Sequence, residues 1–364
     1  MGILRFILAL SVIVMHAGPV LGISFATGVQ AVETFFMISG FYVSLILSQK
    51  YVGPGFYWRY IGNRALKIFP MYWVVLGLLV ILCSRAYLKA GNFGPMNIYL
   101  EYPEVVTPTF LALSLLSNIL IFGQDIAMFL GFDSVSKGLQ FTMNFATSSP
   151  PVFRFLLIPQ AWTLALELMF YLLAPLLVNR SKLVLLTIVG LGVVMRMWFA
   201  HHDYFNSDQW LYRFFPMELP FFLVGILLYR MYVKLQAIRL HRCVLYGIAV
   251  TGLFVAAVQI PFGINKWIYY AIVAIAIPSL FIVSKRSAID RWIGDLSYPI
   301  YISHLFVMWF LSSLDMFKKT GMDAGTLTAI CTVAFSIVLV QLFRPLELFR
   351  QRRAIRQLNE MPNK

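Results

Sequence analysis

The chain has 364 residues, of which 60% are hydrophobic and only 12% charged, with a mean hydropathy of +0.80. A soluble domain is about 45–50% apolar and about 25% charged. This composition therefore excludes a soluble enzyme, a disordered chain and a disulfide-stapled secreted domain, and predicts an all-α polytopic membrane protein. The net charge of +14 does not point to nucleic acid, because the basic residues fall in short connections between apolar runs, where the positive-inside rule places them.

An apolar helix of about 20 residues crosses the hydrocarbon core. Runs of that kind occupy 3–21, 28–48, 68–84, 160–178, 183–200, 212–229, 243–260, 266–284, 292–311 and 325–343. They are continuous, unlike the alternating stretches of a β-barrel. A further run at 109–122 is too short to span and predicts a re-entrant or interfacial helix. Basic residues cluster at 49–67 (Lys50, Arg59, Arg64, Lys67), 179–182, 230–242 (including Arg239), 285–291 and in the tail from Arg344, which holds five arginines. All of these connections reach the cytoplasm only if 109–122 does not cross. The scheme is then ten spans in residues 1–343, both termini inside, an outer stretch at 85–159 and a basic cytoplasmic tail at 344–364.

The outer stretch holds Gly91–Pro95, Pro103, Pro108 and Pro150-Pro151, together with Asp125, Asp133, Lys137 and Arg154. A loop of that length reads as a lid or binding surface. The first run carries an arginine and shows no clear cleavage site, so it does not read as a cleaved signal. Cys83, Cys243 and Cys331 lie on separate segments without metal-type spacing.

Ionisable residues inside spans are costly and point to function by default. They are Arg5, His16, Glu33, Glu167, Arg196, Glu218 and His304. At about 1.5 Å per residue, His16 and His304 lie roughly 20 Å and 18 Å from the inner ends of their helices, and Glu33 and Glu167 roughly 8–11 Å from the outer side. The four share one depth, as an acid/base cluster facing a cavity would. Arg5 and His16, eleven residues apart, return to one helix face about 16 Å apart along the axis. That line suits a long ligand with an anionic head and a reactive far end. Blander readings compete: Arg5 as a snorkelling residue, His16 or His304 as packing histidines, Glu33 and Glu167 as structural partners. For Arg196 and Glu218, near helix ends, an interfacial role is favoured. Ser297, Tyr301 and His304 share a face.

These residues resemble the acyltransferase type 3 family of integral membrane acyltransferases. Arg5 and His16 match its basic residue, ten residues, then histidine in the first span. Phe35-Phe36-Met37-Ile38-Ser39-Gly40-Phe41 resembles its second-span motif, and Arg64-Ala65-Leu66-Lys67-Ile68-Phe69-Pro70 its first inner loop. Trp162-Thr163-Leu164 with Glu167, Phe170 and Tyr171 resembles its fourth-span motif, and Gly294 through Ser297, Tyr298, Tyr301 and His304 its motif near the end. Lys67 stands where arginine is usual and lacks the bidentate fork. Glu33 replaces aspartate, Ala31 a glycine and Thr163 a serine, and Glu347 lacks the usual following proline.

The resemblance implies a bacterial inner-membrane enzyme that moves an acyl group, most often acetyl, from cytoplasmic acyl-CoA to a hydroxyl of an extracytoplasmic glycan or lipid-linked sugar, without a metal. It implies that Arg5, Arg64 and Lys67 bind the donor's phosphates. His16 is implied as general base or transient acyl carrier, with Glu33 or Glu167 orienting it. Ser39, Tyr171, Tyr301 and His304 are open choices for oxyanion or substrate contacts. The rival reading is a transporter or flippase of a lipid-linked sugar, which shares the spans and basic loops but usually shows paired repeats.

Overall fold

The computed structural model describes residues 1–51, 53–133, 138–238, 241–258 and 265–359, with 353–359 as backbone. Lys137, Arg239, the last two residues of the expected 243–260 span and the side chains of Arg353 and Arg356 lie outside the described residues. The helices in chain order are α1 Gly2–Ala17, α2 Gly28–Gln49, α3 Phe56–Ala90, α4 Ile98–Glu101, α5 Pro108–Leu120, α6 Trp162–Leu177, α7 Lys182–Ala200, α8 Asp208–Tyr212, α9 Phe215–Ala237, α10 Arg242–Ala257, α11 Lys266–Ser284, α12 Ala288–Ser313, α13 Met316–Thr320, α14 Ala324–Leu342 and α15 Arg344–Asn359. A short antiparallel hairpin, β1 Leu130–Asp133 with β2 Gly138–Phe141, is the one sheet among the described residues. The protein is an all-α polytopic membrane protein. Among the described residues, seven helices are long and apolar enough to cross a bilayer: α2, α3, α7, α11, α14 and the helices ending at Leu177 and Ala237.

The remaining expected spans differ for identifiable reasons. The expected 3–21 run stops being helical at Ala17, where Gly18 takes φ 91° before Pro19. Hydropathy continues through that point, but a left-handed glycine followed by proline cannot extend a helix. α10 has 16 residues, and α12 begins with Asp290, Arg291 and Asp295 in its first turns. The run at 109–122 forms α5, 13 residues long. The expected inner loop at 49–67 is largely helix: α3 starts at Phe56 and runs 35 residues through Pro70. Arg59, Arg64 and Lys67 thus project from a helix. A membrane helix tolerates such a proline where neighbours satisfy the freed carbonyl. The expected tail is helical over Arg344–Asn359, because Pro345 near the start of α15 sits where no intrahelical N–H is needed, and 360–364 lie outside the described residues.

The chain forms two compact units, Met1–Met71 with Tyr171–Leu186 and Phe221–Lys364, and Tyr72–Phe170 with Thr187–Pro220. In the first, α1 and α12 run parallel. The two meet at Gly2 and Gly294, where a Cβ on Gly294 would stand 2.8 Å from the Gly2 Cα, a close approach that small residues permit in membrane helices. Asp290 fixes the register: its carboxylate accepts from the N–H groups of Gly2 (2.8 Å) and Ile3 (3.0 Å) and pairs with the Met1 amino group (2.8 Å). Burial works to raise the Asp290 carboxyl, but these donors outweigh it and hold the group below its ordinary value. Along the shared face, Ala9, Ile13, Leu296, Ile300 and Ala329 form one apolar cluster. α2 and α9 cross at Gly40 and Gly225, where an added Cβ would meet the carbonyls of Phe222 and Met37.

In the second unit, α5 is tied down by Asn118, whose side-chain oxygen accepts from the Leu157 N–H (2.8 Å) and whose carbonyl accepts from the Tyr72 hydroxyl (2.5 Å). Trp210 packs edge-on against Phe129, Phe199 and Phe205. Arg196 and Glu218, expected near an interface, are instead a buried ion pair at 2.6 Å, with a second bond from Arg196 to the Met217 carbonyl at 3.1 Å. Charge forced out of water is retained where it is paired and hydrogen-bonded.

Candidate active site

Two polar clusters mark the two ends of α1. At its C-terminal end stands His16, exposed, in the last turn of the helix. Its ring lies 5.3 Å from that of His304, centroid to centroid, with the planes tilted by 35°. His304 is buried, and its Nδ1 lies 2.7 Å from the Tyr301 carbonyl oxygen. A carbonyl only accepts, so Nδ1 carries a proton and the neutral ring presents Nε2 as an acceptor. That Nε2 has no hydrogen-bond partner among the described residues. An unsatisfied buried acceptor beside a second imidazole is a group kept available for a hydrogen. Tyr301, buried one turn before His304, packs against Phe35 at 6.3 Å.

At the N-terminal end of α1 lies a cavity of about 330 Å³. Arg5, Lys67, Arg344 and Arg350 line it with Asp295 and Glu347, over a floor that includes Trp292, Pro70 and Tyr298. The Arg5 guanidinium passes 3.6 Å from where a Cβ on Gly294 would stand, so the glycine contact also clears its path. Tyr298 binds α12 to α3 through its hydroxyl and the Ile68 carbonyl, at 2.7 Å. Arg350 pairs with Glu347 at 2.9 Å and bonds Asn63 of α3 at 3.3 Å, which docks α15 on the cavity.

The other expected site residues are distributed differently. Arg64 is buried outside the cavity lining, its guanidinium 5.8 Å from the centre of the Tyr171 ring, and its Nε has no hydrogen-bond partner among the described residues. Glu33 is buried and accepts a hydrogen bond from Tyr270, while its neighbour Thr34 bonds Tyr269 at 3.3 Å. Those bonds anchor α2 on α11. Ser39 is half-buried, one residue before Gly40 at the crossing of α2 and α9. The surrounding motif is largely a packing device, with Phe36 stacked on Phe222 at 4.5 Å and Phe41 edge-on to Tyr229, Tyr232 and Phe281. Glu167 is half-buried and belongs to the second unit. Asp295, Glu347, Arg344 and Arg350 were not expected at the site. Asp295 stands inside the motif quoted near the end, and the arginines were read only as a charged tail. The described residues hold no cluster of three or more metal-ligating side chains.

The acyltransferase domain family matches residues 1–342. Over 87 residues the chain is 34% identical to an exopolysaccharide production protein, ExoZ, of Rhizobium meliloti, a match covering 24% of this chain and 25% of that protein. The chain thus aligns with about a quarter of the length of that relative. No solved structure matches. With the match running from residue 1 to the end of α14, the chain belongs to the acyltransferase domain family.

Proposed function

We propose that this acyltransferase takes an acyl group, acetyl in the simplest case, from cytoplasmic acyl-CoA and places it on a hydroxyl of an extracytoplasmic polysaccharide or lipid-linked sugar, in a bacterial inner membrane. The observation that carries the reading is the pairing of ends on one helix. Arg5 lines a cation-rich cavity, and His16, eleven residues on, meets His304 about 16 Å away along the axis. CoA has the matching shape, with phosphates at one end and the thioester at the end of a long pantetheine arm. The name of the relative, an exopolysaccharide production protein, supports a glycan acceptor.

His16 takes the proton of the acceptor hydroxyl as the oxygen attacks the thioester carbonyl. The tetrahedral oxyanion collapses, the C–S bond breaks and the leaving thiolate recovers the proton from His16. His304, with Nδ1 committed to Tyr301, serves as hydrogen acceptor and positions the first imidazole. In that neutral form it does not donate to the oxyanion, which leaves Ser39 and Tyr301 for that task, since Tyr171 stands beside Arg64 at the other end. Glu33, hydrogen-bonded to Tyr270, orients the base through the packing of α2 on α11. Arg5 and Lys67 hold donor phosphates at the cavity. Arg64, enclosed beside Tyr171, supports that end from behind. The reading requires that Arg5 face the cytoplasm and His16 the outer side, as the expected scheme of ten spans with both termini inside and 85–159 outside has it.

The test is transfer by purified protein in proteoliposomes, given radiolabelled acetyl-CoA and a surface polysaccharide or lipid-linked oligosaccharide. Base-labile label on the glycan is expected, and its loss in His16→Ala. Absence of label from the glycan with the active wild-type preparation, or movement of unmodified sugar instead, overturns the reading.

A further inference from the structure

The wall of the cavity opposite α1 comes from α15, which lies beyond the family-matched residues 1–342. Arg344, Leu346, Glu347 and Arg350 of this helix line the cavity along with Arg5, Lys67 and Asp295. The lining has both signs: four cations face two carboxylates. One carboxylate is engaged within α15, since Glu347 accepts from Arg350 (2.9 Å) and from the Gln351 side chain (3.0 Å). Glu347 is 44% exposed and Arg350 only 9%, so the pair has one face in water and one against the protein. Asn63 holds the Arg350 guanidinium from the other side.

A cavity built only to pack would not keep four cations around an open volume, because like charges repel and each gives up hydration. An arriving polyanion offsets that repulsion. It also meets the Glu347 carboxylate, which repels it and competes for Arg350. We propose that α15 is the phosphate-gripping wall of the donor site: Arg344 and Arg350 bind the CoA phosphates with Arg5 and Lys67, and Glu347 is an internal counter-ion that sets the affinity by competing for Arg350. This rests on the acyl-CoA reading given above. It adds that the segment after residue 342 is part of the binding machinery, and that one of its residues weakens binding.

A counter-ion and a purely structural residue respond oppositely to removal. Neutralising a counter-ion tightens binding of the anion, whereas disturbing a docking helix weakens it. The test is titration of the purified full-length protein with coenzyme A, and separately with dephospho-CoA, in nanodiscs of phosphatidylcholine. Arg344→Gln is expected to weaken CoA binding roughly tenfold, the scale of one lost charge-assisted contact to phosphate. Glu347→Gln is expected to tighten it several-fold. The ratio of CoA to dephospho-CoA affinity should shrink in Arg344→Gln.

Glu347→Gln binding that is unchanged or weaker, in protein that melts at the wild-type temperature, overturns the counter-ion assignment and leaves the acyl-CoA reading standing. Wild-type protein that binds no CoA overturns both. A repeat in nanodiscs with added phosphatidylglycerol separates the sources of phosphate. Retained CoA binding supports the donor, whereas abolished binding assigns the wall to lipid headgroups and overturns the proposal.

Discussion

The two ends of α1 are built on opposite electrostatic principles. At the N-terminal end, four cations and two carboxylates share an open cavity, where water screens each pair and charge sets affinity. At the C-terminal end, two imidazoles meet at 5.3 Å, one exposed and one buried with an unsatisfied nitrogen. There, the position of a single proton matters more than net charge. One helix therefore joins a region suited to holding a polyanion and a region suited to moving a proton. On the proposed reading, the spacing from Arg5 to His16 joins two separate tasks, and substitutions should separate them.

The largest expected effect is at the proton end. His16→Ala should cut acyl transfer by about 100- to 10,000-fold, the usual contribution of a general base. Coenzyme A affinity, measured by titration, should be unchanged. A large loss of affinity would erase the division between the ends. Next comes the joint that sets the register of both ends. Gly294→Ala forces a Cβ to 2.8 Å from the Gly2 Cα, and overpacking of this kind costs about 1–3 kcal/mol. The melting temperature in detergent should fall, and wild-type melting would show that α1 and α12 separate freely. Arg5→Gln should raise the KM for acyl-CoA roughly tenfold with little change in kcat. A fall in kcat at constant KM would place Arg5 at the chemistry instead.

The most local effect lies in the second unit and serves as a control away from both ends. Asp125 is buried, and burial pushes its carboxyl up to about 6 despite backbone hydrogen bonds. A carboxyl raised in the folded state binds more protons there than when unfolded. Stability therefore falls as pH rises from about 4 to about 6, with the full penalty above that range. Asp125→Asn should flatten that slope in thermal melts and stabilise the protein at neutral pH, without moving the KM for acyl-CoA. An unchanged slope would assign the pH dependence elsewhere.

Several elements were legible as residue patterns. The apolar runs at 28–48, 183–200, 266–284 and 325–343 fall close to α2, α7, α11 and α14, because a span must be apolar along its whole length. α5 was legible for the same reason, by being too short. The shared face of Arg5 and His16 followed from helical geometry alone. What eluded the sequence was helix that continues outside the apolar window. α3 begins twelve residues before its expected span, and α15 follows α14 directly, since backbone hydrogen bonding does not stop where lipid does. Gly18-Pro19 was a visible stop that hydropathy averages away.

A helical membrane protein, the family it resembles and the ionisable residues that stand among apolar ones can all be read from the chain, because each is written in composition, period or spacing. Which of those residues meet is fixed by the packing of the helices. Arg196 with Glu218, Glu33 with Tyr270, His16 with His304, and the arginines of α15 around Arg5 are pairings of residues far apart in the chain. They depend on which helices pack side by side and where glycine lets two backbones approach, and no local pattern encodes that.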